Sequence, residues 1–169
     1  MKQSDFYKVG AEKRQDQVIK IGVKNYLLIY GYGIDEDEDG NGYNFRKNYD
    51  HKPSEDELVE DVIGLINQET DRMILQGFKW NGKNVWLSLE NQINFRAQYD
   101  LCIQTDGMNL PLKLKLGERE DGVYVYHTFE TKEELADFYS SQVLYVHDVL
   151  LSAWNEKDSF VQKLKEIVL

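Results

Sequence analysis

The stretch FKWNGKNVWLSLENQINF, residues 78–95, contains the signals that decide the fold class. Asn81-Gly82 is the preferred pair for a type I′ turn, in which both central residues have positive φ. Strand-forming residues flank the pair and predict a tight antiparallel hairpin. Ser88 can then cap a helix. Four apolar residues recur in that helix at a spacing of four: Leu89, Ile93, Ala97 and Leu101.

The first fifty residues favour a β meander. Two runs rich in β-branched and aromatic residues, 17–23 and 26–34, are joined at Lys24-Asn25 and predict a hairpin, and the run 42–49 continues it. Pro53 favours a boundary, because the residue before a proline prefers extended geometry. We therefore predict an amino-terminal β segment, residues 1–50, as a docking or assembly region, followed by an α+β domain, residues 51–169.

Capping boxes mark two further helices. Ser54 with Glu57 three residues later predicts a helix that runs to about Leu75. Thr131 with Glu134 opens the longest helix, which we expect to break at NEKD and to be followed by a short amphipathic tail. Between these helices, the alternation in LPLKLKL and the run VYVYHTF predict another hairpin with one face in water. The predicted fold class is α+β, with antiparallel hairpins and three to four helices.

The charge balance narrows the classes of partner. The chain has 20 Lys and Arg against 30 Asp and Glu, a formal net charge of −10. Nucleic-acid binding depends on cations that neutralise phosphates, so we expect no nucleic-acid partner. The longest apolar runs are too short to span a bilayer, and we expect no membrane partner. The amino terminus lacks the apolar core of a signal peptide, which favours synthesis in the cytoplasm.

The acidic stretch GIDEDEDGNGYNF, residues 33–45, begins like a calcium-binding loop, with Asp35, Asp37 and Asp39 before a glycine. Counted from Asp35, the twelfth position should be a bidentate glutamate, but it is Arg46. Strand formers on both sides favour a solvated connection between two strands. Calcium binding stays a weak alternative.

No residue pattern indicates catalysis. The three histidines, His51, His127 and His147, are scattered, and no Cys/His cluster suggests zinc. The single cysteine, Cys102, lies in an apolar context and is expected to be a small buried residue. There is neither a nucleophile elbow nor a glycine-rich phosphate loop. We predict no catalytic residues, no cofactor and no enzymatic activity.

Aromatic residues are the better candidates for binding. The chain contains eleven Tyr, seven Phe and three Trp. Tyrosine and tryptophan are enriched at protein interfaces, because they combine an apolar body with a polar tip. We predict that five of them contact a partner: Tyr26, Tyr30, Tyr32, Trp80 and Trp86. A glycan stacked on the two tryptophans is an alternative.

Four stretches carry a family resemblance: YDHKPSEDEL, ILQGFKWNGKNVWLSLENQINF, LPLKLKLGE and YHTFETKEELADFY. Over roughly Tyr43 to Lys157, the chain resembles a family of uncharacterised proteins encoded by tailed bacteriophages and prophages, often near tail-fibre or other virion genes. The resemblance implies a virion protein, made in the cytoplasm of the host bacterium, that contacts other phage structural proteins in an oligomeric assembly. A tail or fibre-attachment component is the leading expectation, and a tail-fibre assembly chaperone is the alternative.

Overall fold

The computed structural model describes residues 5–35, 40–119 and 121–167. The described residues form three helices and eight strands, and the strands form three antiparallel sheets. The helices are α1 (Glu55–Gln76), α2 (Leu89–Gln104) and α3 (Lys132–Ile167). The strands are β1 (Tyr7–Gly10), β2 (Gln17–Lys20), β3 (Tyr26–Ile34), β4 (Gly42–Tyr49), β5 (Phe78–Trp80), β6 (Lys83–Val85), β7 (Leu112–Glu118) and β8 (Tyr124–Phe129). The predicted α+β class is confirmed.

The chain forms two compact units. The first unit comprises the chain up to Gln68 together with the chain from Trp154 onwards, and the second comprises Glu69–Ala153. These limits differ from the predicted division at residue 50, because α1 and α3 each contribute residues to both units. No helix among the described residues combines the length and the apolar character that a membrane crossing requires.

A four-stranded sheet in the order β1-β4-β3-β2 forms the first unit's β layer. The predicted hairpin of β2 and β3 and the predicted antiparallel β4 are both present. In the central strand β3, the side chains from Leu27 to Tyr30 are all buried, as expected of a strand that is covered on both faces. The two edge strands are only four residues long, and short edges limit unwanted strand pairing.

A bulge interrupts the pairing of β3 with β4 between Tyr30 and Gly33. Gly31 takes a φ of +70° there, a conformation that side chains disfavour. Its amide donates to Asp16 Oδ1 at 2.7 Å, and its carbonyl accepts from the fully buried Asn44. The bulge therefore keeps its backbone groups bonded although the ladder is broken.

Both predicted boundaries of α1 are confirmed. The Ser54 hydroxyl accepts a hydrogen bond from the backbone amide of Glu57 at 3.2 Å, as an N-cap does. The helix ends at Gln76, directly before Gly77. In the first unit, the side of α1 formed by Leu58, Val62 and Leu65 is buried, as the helical spacing predicts.

The second unit contains the predicted hairpin of β5 and β6. Asn81 and Gly82 have φ values of +47° and +73°, which confirms the type I′ turn. The hairpin joins the β7–β8 pair through the Trp86 amide, which donates to the Leu116 carbonyl at 2.8 Å. A Cβ on Gly117 would lie 3.2 Å from the Asn84 carbonyl oxygen, so this close approach favours glycine.

An aromatic cluster forms the core of the second unit. Trp80 and Phe95 both pack edge-to-face against Phe138, with ring centroids 5.1 Å and 5.0 Å apart. Phe129 joins them at 5.1 Å from Phe138. Cys102 is buried in the same core, as predicted. Such aromatic pairs add stabilisation beyond the apolar area that they bury.

The predicted break in the last helix is wrong, because α3 continues through the NEKD stretch to Ile167. The first unit provides partners for two of its charged residues. Glu156 accepts hydrogen bonds from Arg14 and from Tyr30, and Lys157 donates to Asn67 Oδ1 at 2.6 Å. Since the stretch contains neither glycine nor proline, nothing in its backbone prevents a helix.

Candidate interaction surfaces

Helix α2 begins at the predicted cap. The Ser88 hydroxyl accepts from the Asn91 amide at 3.2 Å. The helix buries the side that carries Phe95 and Cys102, with Tyr99 beside them and its ring stacked 4.5 Å from that of Tyr139. These residues recur at four and three positions, as one side of a helix requires. The core therefore contains a different side of α2 from the one that the apolar spacing marks.

The four residues with the predicted spacing lie in solvent, and we call them the α2 outer stripe: Leu89, Ile93, Ala97 and Leu101. Leu89 is 72% exposed, Ile93 60% and Leu101 43%. Isolated exposed leucines are common on protein surfaces, but a row of apolar side chains on one helix side is typical of an interaction surface. Arg96 and Asp100 form an ion pair at 3.5 Å on the same helix.

The solvent face of the β7–β8 pair carries a second unusual group, which we call the Lys/Tyr face: Lys113, Lys115, Tyr124 and Tyr126. The Lys115 ammonium lies 3.3 Å from the centroid of the Tyr124 ring. The Lys113 ammonium lies 4.7 Å from that of Tyr126. The side chains on the opposite face of the pair are buried or half-buried, so the predicted wet face of this hairpin is confirmed.

The five aromatic residues predicted to bind a partner have different environments. Tyr26 is half-buried and Tyr32 is 39% exposed. Tyr30 is buried in the first unit, where its hydroxyl donates to Glu156 and its ring lies 5.3 Å from that of Phe160. Burial and these contacts make Tyr30 a core residue of the first unit, so the predicted contact at Tyr30 is corrected to a core role.

The two tryptophans of the hairpin also differ. Trp80 is 5% exposed, and its indole Nε1 donates to Asp137 Oδ2 at 2.9 Å. Trp86 is 39% exposed. Trp80 is two residues from the buried Phe78 and points to the same side of its strand. The predicted contact at Trp80 is therefore corrected to a core role, and the glycan alternative loses one of its two stacking rings.

The acidic stretch connects β3 to β4, as predicted. The Asp35 amide donates to the Asn41 carbonyl at 2.9 Å, and the Asp35 carboxylate binds the Lys8 ammonium at 2.8 Å. Asp37 and Asp39 lie outside the described residues, so calcium binding stays a prediction. Across residues 5–35, 40–119 and 121–167, no three His, Cys, Asp or Glu side chains converge as metal ligands.

His51 lies between two carboxylates at the linker that follows β4. Its Nδ1 is 2.8 Å from Asp50 and its Nε2 is 2.9 Å from Glu57. The hydrogen bond with Asp50 makes the larger contribution to raising the pKa of His51, and the hydrogen bond with Glu57 raises it further. The residue lines an open cleft of about 490 Å³, whose lysine, Lys47, is paired with Asp61 at 2.6 Å. Because these charged groups pair with each other, we assign them a structural role: they fix the linker between β4 and α1.

His127 connects three elements of the second unit. The Lys83 ammonium can only donate a hydrogen bond, and it donates to Nδ1 of His127 at 2.8 Å. The proton of the neutral ring is therefore on Nε2, which donates to Glu134 at 2.7 Å. The hydrogen bond with His127 lowers the pKa of Glu134. The Glu134 carboxylate also accepts from the Glu130 amide at 3.1 Å. We assign this network a structural role at the start of α3.

The chain matches no family model, no curated protein and no solved structure. The resemblance of the four stretches to phage proteins therefore stays a prediction.

Proposed function

We propose that the protein is a structural component of a tailed bacteriophage particle, in the tail or at the fibre attachment, and acts by protein–protein contact. The observation that carries the proposal is the exposed α2 outer stripe. Its apolar side chains remain in water in the isolated chain, and a partner that covers them gains their burial. The resemblance to phage proteins supplies the setting of the proposal.

The spacing of the stripe indicates how the contact forms. Anchors at every fourth position of a helix suit a hydrophobic groove on another protein. Burying an isoleucine or leucine side chain contributes about 1.5–3 kcal/mol. Two such anchors, Leu89 and Ile93, are the most exposed of the three large side chains in the stripe. The partner is therefore expected to be a phage structural protein with an apolar groove.

The test places a charge in the stripe. Ile93→Glu should weaken the contact by at least about 2 kcal/mol, because a glutamate must be desolvated where an isoleucine was buried. The matched control is Val23→Glu, since Val23 is 89% exposed in the turn between β2 and β3. Both substitutions place a charged residue at a position that is already exposed to solvent, so both variants should fold. Gradient-purified particles are analysed by quantitative mass spectrometry.

We expect the wild-type chain and Val23→Glu in the particles at a fixed ratio to the major tail protein, and Ile93→Glu at a strongly reduced ratio. Absence of the wild-type chain from purified particles would defeat the structural role. If the chain were then found bound to a fibre protein in infected cells, the assembly-chaperone role would replace it. Equal incorporation of both variants would remove α2 from the contact.

A further inference from the structure

We propose that the Lys/Tyr face binds an acidic, extended segment of a partner protein. This surface is separate in sequence from the α2 outer stripe, and the inference does not depend on the phage setting. It adds to the proposed function a second protein contact, with an acidic segment as the ligand.

Charge is the first reason. The chain has a net charge of −10, yet the Lys/Tyr face contains two lysines and no carboxylate. The carboxylate of Glu118 lies next to its end, opposite Tyr124. Among the described residues, no carboxylate lies within ion-pair distance of Lys113 or Lys115. Each lysine instead contacts a tyrosine ring. A local cationic surface on an acidic protein favours an anionic ligand.

The spacing of the lysines is the second reason. Lys113 and Lys115 are two residues apart on one strand, which places their side chains on the same face, roughly 6.8 Å apart along the strand. An extended peptide that carries carboxylates at alternate positions has the same repeat. Two ion pairs can then form at once, without bending either chain.

The tyrosines are the third reason. Tyr124 is 52% exposed and Tyr126 47%. Each ring covers its lysine diagonally across the strand pair, because Lys115 lies opposite Tyr126 and Lys113 opposite Thr128. The rings hold the ammonium groups at the surface and offer apolar contact area and hydroxyl groups to a ligand. The face thus combines charge with the residue type most typical of protein interfaces.

A protein segment is favoured over nucleic acid. Nucleic-acid affinity comes from many phosphate contacts, and two lysines beside a carboxylate on a protein of this net charge supply few. The probe is a short fluorescent peptide that alternates Asp and Thr, and its control contains Asn in place of Asp. Binding to the full chain is measured by fluorescence anisotropy at low and at physiological ionic strength.

Three variants test the site. Lys113→Gln/Lys115→Gln should weaken peptide binding about tenfold, the size expected for the loss of two exposed ion pairs. Lys113→Arg/Lys115→Arg should retain binding, which separates charge from structural damage. Lys24→Gln/Lys79→Gln removes the same charge at exposed lysines elsewhere and should leave binding unchanged. The affinity should fall as salt is added.

Three outcomes would overturn the inference: equal binding of the Asp and Asn peptides, an equal loss in both Gln double variants, or binding of a single-stranded oligonucleotide in preference to the acidic peptide. Ile93→Glu is measured in the same assay and should bind the peptide normally. A failure at the Lys/Tyr face is therefore distinguishable from a failure of the α2 contact.

Discussion

Phe95 packs edge-to-face on Phe138, with ring centroids 5.0 Å apart, and this contact decides which side of α2 is buried. Phe95 is 1% exposed, whereas Ile93, two residues earlier, is 60% exposed. The helix has apolar residues on both sides. The side that carries the aromatic ring of Phe95 packs in the aromatic core, and the aliphatic side does not. The α2 outer stripe is left in water for this reason.

The first prediction compares these two residues. Phe95→Ala should lower the free energy of unfolding by about 3–5 kcal/mol, because it removes a buried ring and leaves a cavity. Ile93→Ala should change it by no more than about 0.5 kcal/mol, since the position is exposed. Chemical denaturation followed by circular dichroism measures both. Equal losses, or a larger loss for Ile93→Ala, would contradict the burial of the Phe95 side of α2.

The second prediction concerns Glu156 in the first unit. Burial opposes its ionisation, but hydrogen bonds from Arg14 and Tyr30 prevail and lower its pKa. A carboxylate whose pKa is lower in the folded state than in the unfolded state stabilises the fold. This stabilisation is fully present at pH values above the unfolded-state pKa, near 4.5, and is lost as the pH falls through the folded-state pKa. Glu156→Gln should therefore lower the free energy of unfolding at neutral pH by about 1 kcal/mol.

The control for Glu156 is Asp158→Asn, which removes a charge from an exposed residue of the same helix. Denaturation curves at neutral pH and at progressively lower pH should show the Glu156→Gln deficit shrinking in acid. The control should show little deficit at any pH. A deficit that grew as the pH fell would contradict the sign of the pKa shift.

The third prediction concerns His51. Its hydrogen bonds with Asp50 and Glu57 raise its pKa above the ordinary 6.5. A raised histidine pKa gives stability that is fully present below 6.5 and is lost as the pH rises through the folded value. Titration of the ring protons by NMR should give a midpoint above 6.5, and Glu57→Gln should lower it. The same decrease with Glu60→Gln, at an exposed position of α1, would argue against the pairing.

The fourth prediction uses two glycines with open space around them. Gly82 has a φ of +73°, so Gly82→Ala should destabilise the protein by about 1–2 kcal/mol. Gly64 is exposed inside α1, and Gly64→Ala should stabilise it by about 0.5–1 kcal/mol. Thermal unfolding measures both changes. Stabilisation by alanine at position 82 would contradict the type I′ turn.

Local signals in the sequence predicted much of the fold. The Asn81-Gly82 turn and the caps at Ser54 and Ser88 depend on neighbours within a few residues, and all three are present. The burial of Trp80 was also predictable, because its strand alternation matches that of Phe78.

Contacts between distant residues were not predictable in this way. The continuation of α3 through Glu156 involves Arg14, which is 142 residues away in the sequence. Strand β1 has only four residues and pairs with β4 far along the chain. Which side of α2 is exposed depends on the position of Phe138, against which Phe95 packs. The spacing of apolar residues in α2 therefore predicted a helix, but it did not predict which side would be exposed.

The proposed function depends on contact between the α2 outer stripe and another phage structural protein. The most direct measurement places a photo-crosslinking amino acid at position 93, and in a separate chain at position 23, in cells that produce particles. Cross-linking from position 93 to one virion protein, with none from position 23, is the result that we expect. No adduct from position 93 in assembled particles, or the same adducts from both positions, would contradict the claim.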